Sequence, residues 1–140
     1  MLKTKFLIFF LCLAGAFAFR RQSTAVRGRL VCGTVPQQGI LVKLFDEDDG
    51  PDPDDLLGST RTDENGEFYL SGDTIELTNI DPEVRIYHNC NNHINPCDRE
   101  WVIGIPDKYI SSGATPKYTM ELGTMNLELE LEEEGHSCIN

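Results

Sequence analysis

From Thr24 onward, apolar and polar residues alternate in short runs separated by turn residues, and no apolar repeat of 3.6 residues lasts long enough for a substantial helix. In TAVRGRLVC (24–32), Val26, Gly28, Leu30 and Cys32 share one side, which predicts a strand with one buried face. Pro36-Gln37-Gln38-Gly39 is a turn, and ILVKLFD (40–46) is a second strand, denser in apolar residues. LLGSTRT (56–62) is a further short strand. In TDENGEFYLSG (62–72), Asn65-Gly66 suits the positive φ angles of a type I′ turn and predicts a hairpin.

TIELTNI (74–80) is another short extended piece. In EVRIYHNC (83–90), Val84, Ile86 and His88 fall on one face and Arg85 and Tyr87 on the other. REWVIGIP (99–106) is extended until Pro106 ends it, and KYTMELG (117–123) follows. In MNLELELEE (125–133) the alternation of Met125, Leu127, Leu129 and Leu131 with Asn126, Glu128, Glu130 and Glu132 outweighs the helix preference of Leu and Glu and predicts a final strand. About seven or eight short strands with turns between them define an all-β antiparallel β-sandwich of two sheets. One domain over residues 19–140 is expected, with 19–23 as a disordered leader.

The first eighteen residues have a different pattern. Lys3 and Lys5 precede an apolar run from Phe6 to Leu13, followed by the small-residue pattern Ala16-Phe17-Ala18: the layout of a secretory signal peptide cut after Ala18. The run is shorter than the ~20 residues a bilayer span needs, so the protein is expected to be secreted and extracellular rather than membrane-spanning. Removing 1–18 leaves 122 residues and moves the formal net charge from −11 to −13. That balance argues against nucleic acid as a partner, because phosphate binding needs clustered Lys and Arg. An extracellular protein or a lipid surface remains as the partner class, and the oligomeric state is left open.

Of the five cysteines, Cys12 leaves with the signal, and an even number in a small exported domain reads as two disulfide bonds. Cys90 with Cys97 and Cys32 with Cys138 is the favoured pairing, the first bracketing a short polar loop and the second fastening the tail to an early strand; Cys32 with Cys90 or Cys97 stays open. The spacing of His88, Cys90, His93 and Cys97 also has the donors for zinc, but an oxidising export route joins neighbouring thiols before they meet metal. No resident metal, cofactor or catalytic residue is expected.

The run Asp46-Glu47-Asp48-Asp49-Gly50-Pro51-Asp52-Pro53-Asp54-Asp55 carries its carboxylates on a loop stiffened by two prolines. An EF-hand register fails, since counting back from Gly50 puts Phe45 in the first ligand position. Asp46, Glu47, Asp48, Asp49, Asp52, Asp54 and Asp55 are instead candidates for a weak calcium-type site or for contact with a partner, set against the plainer reading of a solvated loop. Nothing resembles a G-x-S-x-G nucleophile, so the chain is not expected to be an enzyme.

AVRGRLVC, VKLFDEDDGPDPDDLLGSTRTDENGEFYLSG, DPEVRIYHNCN, PCDREWVIGIPDKYI and GTMNLELE together resemble the transthyretin-like proteins secreted by nematodes, across almost all of residues 24–138. The resemblance implies a transthyretin-type sandwich and extracellular action without a known catalytic residue. The hydrolase cousin of that fold uses an N-terminal strand histidine and a C-terminal Tyr-Arg-Gly-Ser; here the first strand has no histidine and the chain ends Gly-His-Ser-Cys-Ile-Asn. At least one family member is understood to bridge phosphatidylserine on dying cells to a phagocyte receptor. The implied role is that of a secreted non-enzymatic binding or bridging protein, with a carrier of a small hydrophobic ligand as the alternative.

Overall fold

A computed structural model describes residues 19–92 and 95–140; the expected signal segment, His93 and Ile94 lie outside the described residues. The strands are β1 (Arg20–Cys32), β2 (Val35–Pro36), β3 (Leu41–Asp46), β4 (Asp55–Arg61), β5 (Glu67–Glu76), β6 (Pro82–His88), β7 (Asp98–Gly104), β8 (Ser111–Ser112), β9 (Met120–Asn126) and β10 (Gly135–Ser137). Seven of these have six residues or more, and a 3₁₀ turn spans Asp107–Tyr109. β1 is the spine of the first sheet, pairing with β5 on one side and with β8 and β9 on the other, and its last two residues pair with β2. The second sheet runs β10-β7-β6-β3-β4. Every pairing is antiparallel except that of β9 with β1.

The period-two pattern decides what is buried. Val26 and Leu30 of β1 and Phe68 and Leu70 of β5 face Val42, Leu44, Val84, Ile86 and Trp101 of the other sheet, and all are buried, while Arg27 and Tyr69 stay at the surface. β6 is covered on nearly its whole length, as a central strand should be, and only Arg85 is half-exposed.

Four expectations are corrected. Residues 20–23 are not a leader: β1 begins at Arg20, because Arg20 through Ser23 pair with Glu76 through Asp73 of β5. The Asp63–Gly66 turn is not type I′ and does not join a paired hairpin. Only Gly66 takes positive φ (+76°); Asn65 does not. The Asp63 carboxylate accepts the N–H groups of Asn65 and Glu67, both at 2.9 Å, which holds the chain in the ordinary turn with glycine in the left-handed position after it.

The strands on either side, β4 and β5, belong to different sheets and meet edge against edge. Their contact is tight because Gly58 and Gly72 face it: a Cβ on Gly72 would lie 2.6 Å from the Leu57 carbonyl oxygen, and one on Gly58 would lie 2.9 Å from that of Ser71.

The third correction is the final strand. β9 stops at Asn126, and 127–134 is turn and loop before the short β10. Leu127 is fully buried and Leu131 packs on the core, but Leu129 is 59% exposed, so the alternation does not map onto one sheet face. The carbonyls of Leu127 and Leu129 turn instead toward a buried arginine, described below.

The fourth is the disulfide pairing. The bonds are Cys32–Cys90, with Cα atoms 5.8 Å apart, and Cys97–Cys138, 4.3 Å apart. Strand register rather than nearness in sequence selects the partners: Ser137 of β10 lies opposite Asp98 of β7, and one further step puts Cys138 opposite Cys97. Cys32 ends β1 in one sheet and Cys90 follows β6 in the other, so their bond staples the two layers. On the chain-entropy account, loops of 58 and 41 residues are each worth about 4 kcal/mol.

Candidate binding site at the acidic end of the sandwich

The end of the sandwich where β3 runs out is built from carboxylates. Asp46 is the last residue of β3, opposite Asp55 of β4 and Pro82 of β6, and is only 2% exposed. One of its oxygens accepts the Asp81 N–H at 2.8 Å, and the next residue, Glu47, donates its N–H to the Asp81 carbonyl at 2.9 Å. The segment carrying Asp81 is fixed by the buried Gln22 of β1, whose amide donates to the Thr78 carbonyl and accepts the Ile80 N–H. The Asp48 N–H caps the Asp54 carboxylate at 3.1 Å, closing the loop on itself.

Asp46, Asp48, Asp55 and Glu76 each present one oxygen within 4.8 Å of the others. Two ligands on opposite sides of a calcium ion, each at about 2.4 Å, stand about 4.8 Å apart, so the spacing is that of a set converging on one hard divalent cation. A cleft of about 200 Å³ lined by Asp46, Asp48 and Glu76 of this set is also lined by Glu47, Asp49, Thr78, Asn79 and Asp81. Burial pushes the Asp46 carboxyl above its usual range, and the charges of Asp48, Glu76 and Asp55 add to the shift. Burial does the same to Asp48, helped by Asp55, Asp54 and others; for Glu47 the leading cause is the charge of Glu83.

Arginine enters only at the side of this cluster. Arg85 pairs with both Asp54 and Glu83, and its guanidinium lies 4.1 Å from the centre of the Phe45 ring. The hydrogen bond from Arg85 holds the Asp54 carboxyl below its ordinary pKa.

The loop residues singled out from sequence therefore divide. Asp46, Asp48 and Asp55 converge; Glu47 and Asp49 rim the cleft; Asp54 is committed to Arg85; Asp52 is exposed outside it. Glu76 was missed. It belongs to β5 of the other sheet, and its place could have been found only by knowing that β4 and β5 meet across the sandwich edge.

The histidine and cysteine cluster has a different outcome. Cys90 and Cys97 are both committed to disulfides. The His88 ring is 2% exposed, accepts the Cys90 N–H on Nδ1 at 3.2 Å and packs edge-on against Trp101 with centroids 5.5 Å apart. Burial and the neighbouring Arg99 charge lower its pKa to about 4, so it is a neutral core group.

Arg99 was also missed. Its five N–H bonds are all used: to the carbonyls of Cys90, Leu127 and Leu129 at 2.8 Å each, and to both oxygens of Glu134 at 2.7 Å. Glu134 also accepts the Trp101 indole N–H at 2.8 Å. This buried knot ties the loop 127–134 to β7.

An all-β sandwich of two sheets, stapled by disulfides and carrying a carboxylate-lined end, defines the class of protein. Among the described residues no helix is long and apolar enough to cross a membrane. The profile of the transthyretin-like family, TTR-52, matches residues 27–106, and the chain belongs to that family. It is 43% identical to transthyretin-like protein 33 of Caenorhabditis elegans, over 95% of this chain and 93% of that one. It is 44% identical to transthyretin-like protein 5 of the same nematode, over 96% and 99% of the two chains. With transthyretin-like protein 46 the identity is 48%, over 84% and 66%. A solved 9R-lipoxygenase from Cyanothece gives a TM-score of 0.42 at 22% identity, covering 75% of this chain and 16% of that one, too distant a likeness to bear on function.

Proposed function

We propose that this is a secreted, non-enzymatic binding or bridging protein that engages an extracellular protein or lipid surface through the acidic end of its sandwich, after loss of residues 1–18. The observation that carries the proposal is the convergence of Asp46, Asp48, Asp55 and Glu76, supplied by both sheets. Folding takes these carboxylates partly out of water and sets like charges beside them, both of which push the carboxyl pKa values of Asp46 and Asp48 up, and that cost is recovered when a cation or a basic surface is bound. A calcium ion held there would retain open coordination positions for an anionic headgroup, while a basic protein would meet the carboxylates directly. Function on loops held by a rigid sandwich is the common arrangement for such folds.

The carrier alternative has less support. A groove of about 590 Å³ is lined by Arg27, Arg29, Asp63, Glu67 and Glu121 as well as Phe68 and Tyr69, a charged lining poorly suited to a small hydrophobic ligand.

The test is a screen of the mature protein against extracellular proteins and against vesicles with and without phosphatidylserine, at zero and millimolar calcium. Each assay is repeated with Asp48→Asn/Glu76→Gln. The proposal expects a partner whose binding falls about tenfold or more in the variant, the loss of one or two charge-assisted contacts. No partner, or a partner indifferent to the variant, contradicts it.

A further inference from the structure

The two disulfides differ in their surroundings. Cys90 is 4% exposed and sits in the core, with Cys32 packed against it. Cys97 is half-buried and Cys138 is exposed, beside an Ile139 that is 92% exposed. Cys138 follows β10, a strand of three residues that pairs only with β7. Beyond that pairing and the disulfide, the side-chain hydrogen bonds of the tail among the described residues are one from the Asn140 amide to Asp98 at 2.8 Å and a local one from Ser137 to the Ile139 carbonyl, both at the surface. On the other side of β10, Glu134 is held firmly by Arg99 and Trp101.

From this we infer that Cys97–Cys138 is a thiol-exchangeable latch that covers or bares the outer edge of β7, whereas Cys32–Cys90 is a fixed structural bond. Exchange requires access of a thiolate to a sulfur along the S–S axis, and exposed bonds are the labile ones. A low-molecular-weight thiol of the glutathione class supplies the reductant. Its thiolate attacks Sγ of Cys138, the S–S bond breaks, and Cys97 leaves as a thiolate that takes a proton. A second thiol then attacks the mixed disulfide, giving Cys138 as a thiol and one molecule of oxidised low-molecular-weight disulfide. Two thiols are oxidised for each protein bond reduced.

With the bond gone, residues 135–140 have only three paired residues and surface contacts to hold them, so they detach from Asp98–Glu100. Opening stops at Glu134, because the Arg99 knot does not depend on the disulfide. The consequence is a conditional sheet edge: the backbone groups of β7 that face β10 become free to pair, as an uncovered edge strand does.

The test is graded glutathione on the intact mature protein, with differential alkylation read by mass spectrometry and amide hydrogen exchange read in parallel. Cys97 and Cys138 should be labelled at a thiol concentration about tenfold or more below that needed for Cys32 and Cys90, the difference expected of exposed and buried bonds. At that concentration residues 98–100 and 135–140 should exchange about tenfold faster while β6 is unchanged. Simultaneous reduction, earlier reduction of Cys32–Cys90, or resistance of both bonds overturns the inference. So does selective reduction that leaves exchange at 98–100 unchanged. Cys97→Ser/Cys138→Ser should show the open exchange pattern without thiol, and wild-type protection in that variant would equally overturn it.

Discussion

Replacing Glu134 by glutamine removes one charge from the most enclosed ion pair among the described residues. The Arg99 side chain is 5% exposed and the Glu134 side chain 13%, and the guanidinium has no other carboxylate among its hydrogen-bond partners. Removing one member of a buried pair typically costs about 3–5 kcal/mol, because the remaining charge has neither water nor counter-ion. A second route gives a similar figure. The bonds from Arg99, with those from the Leu131 N–H and the Trp101 indole, lower the Glu134 pKa from 4.5 to about 2, and at ~1.4 kcal/mol per unit this is roughly 3 kcal/mol of native-state stabilisation at neutral pH.

The assay is urea unfolding at pH 7 followed by fluorescence of Trp101, the single tryptophan. With m of roughly 1–3 kcal/mol/M, the midpoint of Glu134→Gln should fall by about 1–3 M with m unchanged. Glu130→Gln, at an exposed loop position, should stay within about 0.5 kcal/mol of wild type. Because the folded pKa of Glu134 is depressed, its contribution is present above the unfolded value and lost as pH falls from about 4.5 toward about 2. A loss below about 1 kcal/mol in Glu134→Gln would refute the idea that this pair holds loop 127–134 in place.

Other outcomes follow from the same structure. His88 is neutral in the core with its pKa lowered from 6.5 to about 4, so the unfolded chain takes up the proton first and stability falls as pH drops through that interval; His88→Phe should flatten the urea-midpoint profile there. Asp48→Asn should raise the midpoint at pH 7 by relieving repulsion, and millimolar calcium should raise wild type but not this variant, measured by thermal unfolding. Gly72→Ala drives a methyl group against the Leu57 carbonyl and should cost about 1–3 kcal/mol by the same urea assay, since neither backbone can yield without moving a sheet edge. Removing Cys32 and Cys90 together should cost about 4 kcal/mol in urea unfolding, and a negligible change would argue against that bond.

The strands themselves were legible because half-buried strands must alternate, and the runs around Leu44 and Phe68 do so cleanly, whereas β6 is covered on both faces. Sheet membership was not. Asp63-Glu64-Asn65-Gly66 reads the same whether the flanking strands pair or separate into different layers, and the glycines that let β4 and β5 touch are silent until both edges are placed. The alternation of LELELEE was real, but two of the five donors of Arg99 bind the carbonyls of Leu127 and Leu129, which are turned away from any strand partner. Disulfide partners were set by the register of β10 on β7, information absent from cysteine spacing. At the acidic end the loop carboxylates were visible at once, while Glu76 needed the fold.

The most direct test of an exported, disulfide-stapled sandwich is N-terminal sequencing and disulfide mapping of the protein recovered from the medium of secreting cells. The chain should begin at Phe19, contain no free thiol, and yield linked peptides joining Cys32 to Cys90 and Cys97 to Cys138. Retention inside the cell with residues 1–18 intact, or free thiols or any other pairing in the recovered protein, would contradict it.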